Sequence, residues 1–216
     1  MNEYARGPMN DNTFKLVEQK MPDVNNLPES HVLIKVQYIG LEPAMRPSIS
    51  LGKSYREPQP LGQPMWAYGI GKVVASTDPK VQVGSQVVGK VDMQEYALLD
   101  SRPPRSVSPY DPRVGLDHLS ALGPPGLAAW FGLVDVAKIK AGDVVVVSAA
   151  AGATGSIVVQ LAKAYGASCI IGIASKAKCQ SVVDIGADAC LDYNSETFVD
   201  DLKKATEEKV CCKSHL

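Results

Sequence analysis

Residues 144–155 read VVVVSAAAGATG. Four successive valines without polar alternation suit a parallel strand covered on both faces. The run then breaks into small residues, with Ala149, Gly152 and Gly155 spaced as in a dinucleotide-binding turn that opens a helix. Small side chains there let backbone amides approach a pyrophosphate, and the helix dipole favours its charge.

Downstream, the pattern predicts helix 154–165, strand 168–173, helix 176–185, strand 189–192 and helix 195–206, after a strand over 143–148. Alternating β and α elements imply right-handed crossovers and a parallel sheet. Gly166 and Gly186 stand where helix C-caps are expected, and Asp188 and Asn194 precede elements in the usual way. The sequence ends at Leu216, so only 3-2-1 of the strand order 3-2-1-4-5-6 is expected. Strand 143–148 then becomes a hydrophobic edge, and a homodimer covering it is expected.

Upstream, HVLIKVQYIGL (31–41), GIGKVVAS (69–76) and SQVVGKV (85–91) read as strands of a small β domain. In the first of them Val32, Ile34, Val36 and Tyr38 are expected on one apolar face. Residues 102–112, RPPRSVSPYDP, read as an extended connector, and 124–137 as a helix followed by a turn at Gly142.

Composition limits the partners. Lys and Arg total 22 against 23 Asp and Glu in 216 residues, and 45% of residues are hydrophobic. That supports a sizeable core and offers no basic stripe for nucleic acid. The N-terminus lacks the order of a signal peptide, and polar residues and glycines interrupt the most apolar stretch, 144–162. A cytoplasmic protein without a membrane span is expected. Cys169, Cys179, Cys190, Cys211 and Cys212 form no CxxC pair, and His31, His118 and His215 are far apart, so no metal site is expected. The first three cysteines are expected to be buried and reduced, the last two exposed.

About twenty residues past Gly155, where a carboxylate would take the ribose hydroxyls of NAD, the chain has Ser175, Lys176, Ala177 and Lys178. A lysine there neutralises the 2′-phosphate of NADP, so NADPH is the expected cofactor.

These motifs, with LGPPGLAAWFGL (122–133), the KxKC motif ending at Cys179, Asp192-Tyr193 and QEYALL (94–99), make the chain resemble the zinc-free medium-chain dehydrogenase/reductases. The likeness is to the branch of leukotriene B4 dehydrogenase/prostaglandin reductases and alkenal double-bond reductases, and it covers roughly residues 13–205. The resemblance implies an α/β chain with a GroES-like β-barrel domain over 1–122, a partial Rossmann domain over 123–206 and an irregular tail over 207–216. It implies that Gly152, Ala153, Thr154 and Gly155 meet the pyrophosphate, that Lys178 holds the 2′-phosphate, that Ser175 belongs to the cofactor-binding residues, and that Tyr193 contacts the same end of the cofactor. It also implies NADPH-dependent reduction of the carbon-carbon double bond of an α,β-unsaturated carbonyl compound, with a substrate from specialised metabolism. Tyr55 is the candidate donor to the carbonyl oxygen and Arg46 a second catalytic candidate; Met45, Trp66 and Tyr68 are the substrate-pocket candidates.

Three departures stand against the family pattern. Ala44 and Ala128 replace a usual Tyr and Thr, which removes two hydroxyls, and Asp92-Met93 stand where the family often has Gly-Trp. The lost hydroxyls and the length leave two alternatives open. One is a cofactor-independent isomerase or cyclase acting on an enone or polyene in the same cleft; the other is a non-catalytic or truncated product. His118 is expected to be structural.

Overall fold

The computed structural model describes residues 1–54, 57–102 and 107–207. It divides into two compact units, Met1–Leu119 and Ser120–Leu216.

The first unit is built on five strands: β1 (His31–Ile39), β2 (Tyr68–Ser76), β3 (Gln86–Lys90), β4 (Tyr96–Asp100) and β5 (Val107–Pro109). All pair antiparallel in the order β4-β1-β2-β3-β5, and the sheet curls into the half-barrel of a GroES-like domain. Strict alternation fails in β1. Its register against β2 shifts between Leu33 and Ile34 and again between Val36 and Tyr38. Val32, Leu33 and Ile34 are consequently all buried, while Tyr38 is exposed. A bulge inserts an unpaired residue, and that re-aims every side chain beyond it. The Pro-rich connector also needs correction, because Val107–Pro109 within it pairs with Val87–Gly89 as an edge strand. Proline is tolerated there because an edge leaves one row of backbone groups unpaired.

A second apolar cluster in this unit lies off the main sheet core. It gathers Met1, Ala5, Met45, Ile49, Met65, Trp66 and Ala67 around the short helix α1 (Met45–Ser48). The Trp66 indole N–H donates to Ser48 Oγ at 2.9 Å, which satisfies the one polar atom of a side chain only 3% exposed.

The second unit begins with α2 (Pro124–Trp130), whose two N-terminal prolines suit a first helical turn. The predicted single helix over 124–137 changes at Phe131 to a π-helical turn that runs to Val136. Then come β6 (Val144–Val147), α3 (Ala153–Ala164), β7 (Cys169–Ala174), α4 (Lys176–Asp184), β8 (Ala189–Asp192) and α5 (Phe198–Glu207). The three strands are parallel in the order β6-β7-β8, which leaves β6 at the edge. Val145 and Val147, Ile170, Val158, Val159, Ala162 and Val182 pack into one core with Ala129 and Leu133. α3 and α4 end in Schellman caps: Gly166 N–H donates to the Lys163 carbonyl and Ala167 N–H to the Ala162 carbonyl, and Gly186 and Ala187 repeat the pattern on Val183 and Val182.

The cysteine expectation is overturned for two positions. Cys179 on α4 and Cys190 on β8 form a disulfide, their Cα atoms 5.2 Å apart, within the usual span for such a bond. The tight α4–β8 connection turns the two residues toward each other, a proximity that spacing along the chain does not reveal. Cys169 is buried as expected; Cys211 and Cys212 lie outside the described residues.

Candidate cofactor and substrate site

The valine run of β6 stops at Val147, and the next residues turn sharply. Ala149 has φ +48, in the left-handed region that favours glycine, which accounts for the glycine commonly found at the first position of such turns. The turn is tied down by Ala150 N–H donating to the Ile173 carbonyl at 3.0 Å and Gly152 N–H to the Ala149 carbonyl at 2.8 Å. Gly152 caps α3 in an extended conformation without a side-chain cap. The first amides of a helix have no intrahelical acceptor. Gly152, Ala153 and Thr154 are exposed and Gly155 is buried, so this helix start faces solvent with donors to offer.

The turn itself admits no side chain at Gly155. A Cβ there would sit 2.4 Å from the Ala149 carbonyl oxygen and 2.9 Å from Ala150 Cα, and one at Gly152 would sit 3.1 Å from the same oxygen. This turn suits a pyrophosphate, since its residues are small and the first amides of the helix, which lack intrahelical acceptors, lie at an exposed helix start.

β7 ends one strand away. Ser175 caps α4, and Lys176 and Lys178 are exposed in its first turn. Among the described residues no carboxylate pairs with Lys178, and residues 174–178 contain none. At the end of β8, Tyr193 N–H donates to the Ala174 carbonyl at 3.2 Å, while the side chain is exposed. Parallel pairing of β6, β7 and β8 therefore gathers Gly152–Gly155, Ser175, Lys178 and Tyr193 at one edge of the sheet, the carboxyl ends where open α/β folds bind ligands.

The catalytic and pocket candidates belong to the first unit. Arg46 is exposed, donates from Nη1 to Ser50 Oγ at 2.6 Å and from Nη2 to the Gly7 carbonyl, and lines an open groove of about 760 Å³ with Pro47, Ser50, Gly52, Lys53 and Ser54. Met45 and Trp66 are buried in the apolar cluster described above. Tyr68 is partly exposed at the start of β2. Tyr55 lies outside the described residues. His118 Nε2 accepts the Asp111 amide at 2.9 Å, and its ring meets Tyr110 at 5.2 Å, a structural arrangement.

One residue that the sequence marked only as a departure from the family pattern has a distinct setting in the structure. Asp92, at a usual glycine of the family, has φ +57, and its Oδ1 is buried with no partner among the described residues. Burial pushes its carboxyl above the ordinary carboxylate value, against the lowering influence of Lys90 and of a hydrogen bond from the Ala67 amide. The native state then holds this proton more tightly than the unfolded chain, so the Asp92 contribution to stability is present at low pH and lost as pH rises through the folded value. Asp92→Asn keeps a residue that tolerates positive φ and removes the charge. It is expected to stabilise the protein by about 1 kcal/mol at neutral pH and by less near pH 4. Urea midpoints across that range check this, and a constant difference at every pH would contradict it.

Among the described residues no group of three or more His, Cys, Asp or Glu side chains could hold a metal ion, and no helix is long and apolar enough to cross a membrane.

Comparison with known proteins gives the same architecture. Residues 1–107 match the family profile described as the N-terminal domain of oxidoreductase, and residues 153–212 match that of zinc-binding dehydrogenase. NADPH-dependent curcumin reductase of Escherichia coli is 35% identical over 202 residues, which are 89% of this chain and 55% of that protein. The NADP(+)-dependent 2-alkenal reductase of Nicotiana tabacum is 33% identical over 83% of this chain and 52% of its own. The crystal structure of CurA from Vibrio vulnificus in complex with NADPH superposes with a TM-score of 0.83 at 32% identity, covering 95% of this chain and 60% of that one. The chain thus spans a little over half the length of these relatives. With both profiles in chain order and a fold shared at this identity, the protein belongs to the medium-chain dehydrogenase/reductase family, in the zinc-free branch of these reductases.

Proposed function

We propose that this chain binds NADPH and serves the reduction of the carbon-carbon double bond of an α,β-unsaturated ketone or aldehyde. The observation that carries the reading is the gathering, at three adjacent strand ends, of a solvent-facing helix start whose turn needs glycine at Gly152 and Gly155 and of an exposed Lys178, with no carboxylate partner among the described residues, where a carboxylate would select NAD. The NADPH-dependent curcumin reductase and the 2-alkenal reductase among its relatives support it.

On this reading Gly152, Ala153, Thr154 and Gly155 hold the pyrophosphate through backbone N–H groups. Lys178, as a point charge, and the Ser175 hydroxyl hold the 2′-phosphate, and Tyr193 lies against the same end of the cofactor. When bound, NADPH supplies the hydride that adds to the β-carbon of the enone. The chain must then stabilise negative charge on the substrate oxygen. Arg46 and Lys53 give the groove in the first unit a positive character suited to that charge, Tyr55 supplies a hydrogen bond to the oxygen, and Tyr68 offers an aromatic wall.

The reaction is tested with NADPH deuterated at the transferring C4 position and a simple enone. The proposal predicts NADPH consumption with deuterium at the β-carbon of the saturated product. Conversion of the enone to an isomer without NADPH consumption would overturn it in favour of non-redox chemistry. Lys178→Ala is expected to weaken NADPH binding about tenfold, the worth of one charge-assisted contact in partial solvent, and to leave NADH binding within about twofold. Equal losses for the two nucleotides would contradict the role given to this lysine.

A further inference from the structure

The disulfide sits within the proposed phosphate site. Cys179 directly follows Lys178 in the first turn of α4, and Cys190 lies three residues before Tyr193 on β8. The bond therefore joins the two elements that deliver Lys178 and Tyr193. β8 is the outer strand of its sheet and among the described residues pairs with β7 alone; α4 and β8 are held to each other by the capped connection at Gly186–Asp188, by packing and by this cross-link. Cys179 and Cys190 are both partly exposed, whereas Cys169 on β7 is buried. Both bonded residues pack against the margin of the core and keep part of their surface exposed.

We propose that the Cys179–Cys190 bond is a redox switch that sets the affinity of the site for the 2′-phosphate of NADPH, an inference that rests on the cofactor reading above. In the oxidised chain the first turn of α4 is anchored to β8, and Lys178 and Tyr193 are held ready for the phosphate. A dithiol reductant breaks the protein S–S bond by thiol–disulfide exchange. One of its thiolates attacks a protein sulfur to form a mixed disulfide, and its second thiol then closes an S–S bond in the reductant. Cys179 and Cys190 are left as two thiols, with two electrons and two protons received. Without the tie, the turn carrying Lys178 must be ordered when the ligand binds, and affinity falls by that cost. The Gly152–Gly155 turn belongs to β6 and α3, outside the cross-linked loop, so a nucleotide without the 2′-phosphate feels little of the change.

The test is calorimetric titration of the full chain with NADPH and with NADH, before and after dithiothreitol, with thiols counted in the native state. Reduction is expected to expose two further thiols from this pair and to raise the NADPH dissociation constant about tenfold, against less than about twofold for NADH. The Cys179→Ser/Cys190→Ser double variant, its fold checked by circular dichroism, is expected to bind NADPH like the reduced protein and to ignore the reductant. Release of the two thiols with unchanged NADPH affinity would overturn the switch and leave the cofactor reading intact. A double variant that still responds to the reductant would also overturn it. Absence of NADPH binding in both redox states would overturn the two together.

Discussion

Gly155→Val is expected to abolish measurable NADPH binding and to lower stability by about 3 kcal/mol. The reason is local and geometric. Even a single Cβ at this position would lie 2.4 Å from the Ala149 carbonyl oxygen and 2.9 Å from both the Ala149 carbonyl carbon and Ala150 Cα. These are backbone atoms, so relief requires moving the turn itself. That turn is held from the other side by the Ala150 amide on Ile173 and by the Gly152 amide on Ala149, and Ala150 is fully buried in the core of the second unit. Displacing it disturbs the β6–α3 join and swings the first helical amides away from the ligand they are proposed to meet. Urea unfolding and NADPH fluorescence together check this. A variant with an unchanged midpoint and NADPH affinity within about twofold of the parent would contradict the account of the turn.

Trp66→Ala is expected to cost about 3–5 kcal/mol of stability, the range for truncating a large buried aromatic. Trp66 packs with Met1, Ala5, Met45, Ile49 and Met65 and donates its indole N–H to the buried Ser48 hydroxyl. Removing it opens a cavity and leaves Ser48 without this donor. The outcome separates two roles for a residue that sequence alone put in the substrate pocket. A core role predicts a large drop in the denaturation midpoint whatever the substrate. A pocket role predicts a stable protein with a changed KM, and that result would contradict the packing described here.

The second unit was legible almost throughout, because its signals are local. An unbroken β-branched run, small residues at a sharp turn and glycines just past two helices each specify backbone behaviour without reference to distant contacts. The first unit was less so. Burial of Leu33 and exposure of Tyr38 depend on bulges between β1 and β2, and the short strand Val107–Pro109 forms only because β3 offers it an edge. Neither is written in periodicity. The Cys179–Cys190 bond was missed for the same reason: the two residues are eleven apart along the chain and meet only through the return from α4 into β8. In the candidate site, the cofactor residues share one sheet edge because parallel pairing aligns strand ends, a consequence the motif order already contained. The substrate candidates lacked such a frame. Met45 and Trp66 carry apolar side chains that serve a core as readily as a pocket, and both are buried in the cluster around α1. Asp92 shows the converse, since a departure from glycine marked a position whose backbone, at φ +57, explains the glycine elsewhere.

Equilibrium binding of NADPH to the 216-residue chain tests the central claim most directly, with NADH and 2′,5′-ADP titrated alongside. The account predicts saturable binding of NADPH in the micromolar range, competition by 2′,5′-ADP, and about tenfold weaker binding of NADH, in keeping with one charge-assisted phosphate contact. A folded protein that binds none of the three, or that binds NADH as tightly as NADPH, would contradict it.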